Sequence, residues 1–176
     1  MARASAFDEW IYGLAERAET DARARRVLVA AVNLFFRAIV LERRRGGRRL
    51  LDFARAASVR WGRWRAPRLR ERLALDARNM ADMGRLQDWE DRVFGVTGHW
   101  KERGPRRAVK CETACPFARV ASSAPEICTE VVHALEEGTF RELHPGYRLM
   151  PLERLLSRGA RECEFVHVLD EGDAAS

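Results

Sequence analysis

The first half of the chain has the hydrophobic periodicity of amphipathic helices. Ser5 can cap a first helix, in which apolar positions recur at three- and four-residue spacing. A second helix is apolar nearly all round in its middle and ends at a pair of glycines, which predicts the central helix of this half. Pro67 is placed to open a fourth helix in its first turn. The predicted helices cover about 5–18, 22–45, 50–64 and 67–84.

The second half of the chain changes to a strand-like pattern. Aromatic and β-branched residues predict strands over 93–100 and 107–111. Ser123 and Glu126 form a capping box that predicts a helix ending at about Glu137. Two further strands, over 147–153 and 163–169, are predicted to form an antiparallel pair.

Together these elements predict an α+β fold in which N-terminal helices pack against a C-terminal antiparallel sheet and one cysteine-bearing helix. We expect a helical part over 1–90, an α+β part containing the cysteines over 91–170, and a polar tail over 171–176. At 176 residues the two parts are expected to form one integrated domain.

The N-terminus does not have the pattern of a signal peptide, and the apolar run over 27–41 is short for a membrane span. We therefore expect a cytoplasmic protein without a membrane partner, whose cysteines are reduced. The oligomeric state is left open, with a homo-oligomer as one alternative.

The net charge of +6 conceals an asymmetry between the two halves. Residues 111–176 contain six Arg, no Lys and twelve Asp or Glu, a net charge of −6, so residues 1–110 carry +12. Tryptophans among these arginines are compatible with nucleic-acid binding. Because no recognition motif accompanies the charge, we expect solvated helix faces and no specific nucleic-acid partner.

All four cysteines lie in the last third of the chain, at positions 111, 115, 128 and 163. Their spacing lacks the two close pairs of zinc ribbons and fingers. Cys128 shares a helical stripe with Val131, Val132 and Leu135, so it is expected to point inward. A buried structural role, a reactive thiol and a metal site all remain open at this stage.

The order of these features resembles a known family. Cys115-Pro116-Phe117, an early Cys128 in a helix, Glu153 in a hairpin, and then Gly159, Cys163 and Phe165 look like the L-2-amino-thiazoline-4-carboxylic acid hydrolase family. They are more distantly similar to the 4-vinyl reductase type of small-molecule-binding domain. The resemblance covers about residues 107–169. It implies a pocket between helix and sheet that binds a small cyclic amidine-like substrate. It also implies a reaction in which water is added to a C=N bond of that substrate.

Candidate site residues follow from the residue types and from this resemblance. Cys115 is the candidate nucleophile, because it lies in a loop before a helix and near basic residues. His99 and His167 are candidate bases. We expect the substrate to contact Cys111, Phe117, Cys128, Glu153 and Phe165.

The alternative to catalysis is a non-catalytic ligand-binding or sensory module. In this interpretation Cys111, Cys115, Cys128 and Cys163 hold zinc or an iron–sulfur cluster. The 4-vinyl reductase pattern expects a further cysteine where this chain has Leu156, which weakens that zinc assignment. The sequence therefore favours a hydrolase acting on a non-peptide C–N bond, with no established cofactor, over a binding module.

Overall fold

A computed structural model describes residues 5–170 and confirms the α+β prediction. The predicted tail over 171–176 lies outside the described residues. The helices are α1 (Ala6–Thr20), α2 (Ala22–Arg44), α3 (Arg49–Leu73), α4 (Met80–Phe94), α5 (Ala118–Ala121), a π-helix (Ile127–Val132), α6 (His133–Leu143) and a 3-10 turn (Leu156–Arg158). The strands are β1 (Thr97–Arg103), β2 (Arg107–Ala114), β3 (Tyr147–Leu149) and β4 (Cys163–Leu169).

Side chains cap the first two helices, and the cap of α1 is the predicted Ser5. The hydroxyl of Ser5 accepts a hydrogen bond from the backbone N–H of Asp8 at 3.2 Å, and the Asp8 carboxylate accepts from the Ser5 N–H at 3.1 Å. Asp21 accepts from the Arg23 N–H at 2.7 Å and so caps α2. These bonds satisfy amide groups that lack a partner within the helix.

The prediction that Pro67 begins a new helix is wrong. Helix α3 continues through Pro67 for a full turn and ends at Ala74, whose φ of 48° is left-handed. Pro67 removes one backbone hydrogen bond, but the long contact between α3 and α6 holds the helix together. Gly62 makes this contact close, because a Cβ there would lie 2.7 Å from the carbonyl oxygen of Leu135.

Two other predicted boundaries also move. Helix α4 begins at Met80, after the cap of Asn79, and runs into the predicted strand over 93–100, so that β1 starts only at Thr97. The predicted helix of 123–137 is replaced by the π-helix followed by α6, which does not stop at Gly138. Gly138 instead packs against α3, where a Cβ would lie 2.9 Å from the Val59 carbonyl oxygen.

The four strands form an antiparallel sheet in the order β1-β2-β4-β3. The predicted pairing of the last two strands is confirmed, with Tyr147 opposite Leu169. In the pairing of β2 with β4, Glu112 lies opposite Cys163 and Lys110 lies opposite Phe165. Because side chains alternate between the two faces of a strand, these four residues share one face of the sheet, which we call the inner face.

Two hydrophobic clusters hold the fold together. One joins α1, α3 and α4 to the sheet, and the other joins α2 and the start of α3 to residues 121–131. Val32 and Cys128 contact both clusters. No helix among residues 5–170 is long and apolar enough to cross a membrane.

Candidate ligand-binding site

A cavity of about 350 Å³ lies between the N-terminal helices, the π-helix and the inner face of the sheet. Phe7 and Phe53 line it although they are 63% and 64% exposed, so they mark its opening to solvent. Its deeper wall is aromatic and aliphatic. The apolar side chains of this wall are Ile11, Val32, Phe35, Phe36, Trp61, Phe94, Val96, Phe117, Ile127, Val131, Val132, Leu135, Leu155 and Phe165.

Phe117 joins the aromatic side chains of the wall. Its ring lies edge-on to Phe36, with centroids 5.6 Å apart, and edge-on to Phe94 at 5.7 Å. Edge-to-face contacts of this kind fix the orientation of each ring. The predicted role of Phe117 as a pocket residue therefore agrees with its position.

The π-helix forms a second part of the wall. Ile127, Cys128, Val131 and Val132 all lie in this single element and all line the cavity. A π-helix adds a residue to each turn and is frequently found at functional sites. The predicted inward orientation of Cys128 is correct, although the helix that carries it is not a regular α-helix.

Cys115, Cys128 and Cys163 line the same cavity. Burial raises the pKa of the Cys115 thiol to about 12 and that of Cys163 to about 11. Burial also raises the pKa of Cys128, whose sulfur lies 3.5 Å from the hydroxyl of Ser157. All three groups are therefore neutral thiols at pH 7, not activated thiolates.

Cys111 lies on the opposite face of the sheet from Cys163, because it is adjacent to the inward-facing Glu112 in β2. It is buried under His99 and Glu162, and one ligand atom from each of these three residues lies within 4.8 Å of the others. Among the described residues, this is the group of His, Cys and carboxylate side chains whose ligand atoms lie close enough together to hold a metal ion. The four cysteines are thus not brought together as one metal site.

Three other predicted site residues, His99, Glu153 and His167, also lie away from the cavity wall. His167 is fully buried beyond Phe165, and its Nδ1 lies 2.8 Å from the Tyr147 hydroxyl. Burial lowers the pKa of His167 to about 3, so the imidazole is neutral. Glu153 is exposed, and neither it nor His99 lines the cavity.

The polar part of the cavity consists of acidic side chains that were not among the predicted site residues. Glu90, Asp91, Glu112 and Glu136 line the wall together with Gln87. Glu90 is paired with the buried guanidinium of Arg65, which also donates to the Thr139 hydroxyl at 3.0 Å. One carboxylate oxygen of Glu136 and one of Glu90 are buried without a hydrogen-bond partner in the described structure.

Lys110 supplies the other buried positive charge at this end. Its ammonium group lies 2.7 Å from Asp88 and 2.8 Å from Asp91, and 4.8 Å from the centre of the Trp100 ring. Two carboxylates therefore already share this cation. Glu112, two residues along the same strand, is only 8% exposed and has no hydrogen-bond partner among the described residues.

A signal for one of these acids is present in the sequence. Glu136 continues the helical stripe of Cys128, Val132 and Leu135, so a charged residue stands where an apolar one is expected. Lys110 and Glu112 give no such signal. They alternate with Val109 and Cys111, a pattern that is typical of a solvent-facing strand surface.

No protein-family model matches the sequence, and no curated protein is significantly similar to it. Among solved structures, the chain is similar to a trafficking protein particle complex subunit 3 from Naegleria fowleri, whose crystal structure is of the protein covalently bound to palmitic acid. The TM-score is 0.62 at 8% sequence identity, over 83% of this chain and 97% of the other. The two proteins therefore share a fold.

Proposed function

We propose that this protein binds a small, largely apolar molecule in the cavity between its helices and its sheet. The observation that carries the proposal is the cavity itself, which has about 350 Å³ of space behind a wall of aromatic and aliphatic side chains. Ligand sites are typically pockets of about 300–1,000 Å³ that are mostly apolar and contain a few placed polar groups. The structural neighbour adds support, because it is a protein of this fold with palmitic acid, which has an apolar chain, covalently bound.

The hydrolase function implied by the family resemblance stays a prediction. Cys115 and Cys128 line the cavity, as that function requires, but burial raises the pKa of both thiols. A cysteine nucleophile needs a base or a cation to form its thiolate. The candidate bases His99 and His167 lie outside the cavity wall. Binding without catalysis is therefore the function that the geometry supports better.

Cytoplasmic localisation and a homo-oligomer also stay predictions. The structural neighbour is a subunit of a complex, which is compatible with association of this chain through an exposed apolar surface. Trp10, Leu34 and Leu41 are more than half exposed in the single chain.

The proposal is tested by blocking the cavity with one side chain. Ala57 lines the cavity, whereas its neighbour Ala56 is exposed on the same helix. With the neutral probe 4-phenylbutan-1-ol, the tryptophan fluorescence, to which Trp61 in the cavity wall contributes, should change with a saturable dose dependence in the wild type and in Ala56→Phe. Ala57→Phe should abolish this response. Equal binding by the two variants would contradict the proposal.

A further inference from the structure

We infer that the ligand of this cavity carries one positive charge on an apolar body, as in a protonated arylalkylamine, and that Glu112 and Glu136 bind its charged group. This inference rests on the proposed function and adds the chemistry of the ligand's polar end. It follows from an imbalance between buried acids and buried bases at one end of the cavity.

Four carboxyl groups line the interior of the cavity, and two cationic side chains face them. Arg65 is bonded to Glu90, and the ammonium group of Lys110 is shared between Asp91 and Asp88. Each cation is therefore already paired with a carboxylate. Asp8 is balanced separately at the mouth by Arg60, at 3.2 Å.

Among residues 5–170, Glu112 and Glu136 are the two acids of the cavity interior that form no ion pair. Glu136 is 5% exposed, and burial together with the neighbouring Glu90 carboxylate raises the pKa of Glu136 well above its usual value. Its Oε2 atom is buried and has no hydrogen-bond partner in the described structure. A buried acceptor of this kind is costly to leave unpaired, and a ligand that donates hydrogen bonds would satisfy it.

The environment of Glu112 favours a cation in particular. Burial, together with the nearby carboxylates of Asp91 and Glu90, raises the pKa of Glu112 to about 8, although Lys110 acts in the opposite direction. The titratable and charged groups around Glu112 come from every element packed against it. They are Arg65 on α3, Glu90 and Asp91 on α4, Lys110 on β2, Cys163 on β4, Cys115 in the loop, Cys128 on the π-helix and Glu136 on α6.

An ammonium group is the ligand feature that completes this set. It brings a positive charge and up to three N–H donors to two carboxyl groups that lack both. Hydrogen bonds between charged partners are roughly twice as strong as neutral ones. A carboxylate ligand would instead bring a negative charge next to Glu112 and Glu136, where the surroundings already disfavour ionised carboxyl groups.

Binding of such a cation must release a proton. In the empty protein at pH 7, Glu112 is mostly protonated, because its pKa is about 8. The ammonium ligand keeps its own proton, because an alkylamine has a pKa near that of lysine, about 10.4. Glu112 therefore passes its proton to the buffer when it pairs with the ligand.

The test compares three probes with one apolar body: 4-phenylbutylamine, 4-phenylbutan-1-ol and 4-phenylbutanoate. Isothermal titration calorimetry at pH 8 should give the amine an affinity about tenfold above that of the alcohol, and the acid the weakest binding. The dissociation constant of the amine should fall about tenfold from pH 6 to pH 7, whereas that of the alcohol should change little. At pH 7, buffers of different ionisation enthalpy should report net proton release on amine binding and none on alcohol binding.

Variants identify the residues responsible. Glu112→Gln should weaken amine binding about tenfold at pH 8 and remove its pH dependence, while alcohol binding stays within about threefold. If Glu112→Gln does not fold, Glu136→Gln provides the second test, because it should weaken amine binding more than alcohol binding. Glu137→Gln is the matched control, because Glu137 is the next residue on α6, lies outside this cavity and pairs with Arg141 at 3.1 Å.

The outcomes separate the two proposals. Alcohol binding equal to or tighter than amine binding, or equal losses for both probes in the two variants, would overturn the inference and leave the proposed function intact. If none of the three probes binds to the wild type, both the inference and the proposed function are refuted.

Discussion

Replacing Glu112 with glutamine is expected to change how the stability of the protein depends on pH. Glu112 is 8% exposed, and folding raises its pKa from 4.5 to about 8. The folded state therefore favours the protonated carboxyl more than the unfolded state does. Below pH 4.5 both states are protonated and Glu112 has no cost. Between pH 4.5 and 8 the unfolded chain releases the proton while the folded protein retains it, so the free energy of unfolding decreases.

The size of the effect follows from the two pKa values. Each pKa unit corresponds to about 1.36 kcal/mol, so the cost approaches about 5 kcal/mol above pH 8 and is about 3 kcal/mol at pH 7. Water that enters through the open mouth of the cavity reduces this figure, because it solvates the carboxylate. Glutamine keeps the shape of the side chain and does not titrate in this range.

The assay is urea denaturation followed by tryptophan fluorescence at pH 5, 7 and 9, for the wild type, Glu112→Gln and Glu137→Gln. The stability of Glu112→Gln relative to the wild type should increase by about 3–4 kcal/mol from pH 5 to pH 9. Glu137→Gln should follow the wild type, because Glu137 is paired at the surface. Parallel pH curves for the wild type and Glu112→Gln would refute the assignment of Glu112 as a buried, unpaired acid.

Three further predictions concern packing, the thiols and the buried ion pair. In the same urea assay, Gly62→Ala should lower the free energy of unfolding by about 1–3 kcal/mol, because the added Cβ would meet the α6 backbone. Gly13→Ala should raise it by about 0.5–1 kcal/mol, because no atom lies within 4 Å of the added Cβ. Because burial raises the pKa of Cys115 to about 12, iodoacetamide should modify it far more slowly at pH 8 than an unfolded control, as measured by mass spectrometry; modification at the unfolded rate would show an exposed or activated thiol. Arg65→Met should cost about 3–5 kcal/mol at pH 7, because it leaves Glu90 buried without its cation, and the double change Arg65→Met with Glu90→Gln should recover part of that loss.

The sequence predicts the elements better than it predicts how far they extend. The cap of α1 and the pairing of β3 with β4 depend on local signals, and the structure confirms both. The break at Pro67 is wrong because contact with a distant helix, α6, compensates for a local defect. A local pattern carries no information about such a contact.

The residues that the motif singles out lie partly in the apolar wall of the cavity and not at its polar end. Cys115, Phe117, Cys128 and Phe165 line the cavity, whereas Cys111 and Glu153 do not. The charged face of β2, which includes Lys110 and Glu112, has the pattern of an exposed surface, yet it is buried in the fold, where α4 packs against β2. The burial of a charged side chain can be recognised only when the elements that neutralise or isolate it are placed in the fold.

The most direct test of the central claim is a crystal structure of the protein with a brominated form of the apolar amine, 4-(4-bromophenyl)butylamine. Anomalous scattering from bromine locates the apolar end of the ligand independently of the protein. The account predicts a bromine peak among Phe36, Phe117 and Val131, with the amine nitrogen within hydrogen-bond distance of Glu112 or Glu136. Bromine peaks confined to the outer surface, with the cavity closed or empty at a saturating probe concentration, would contradict it.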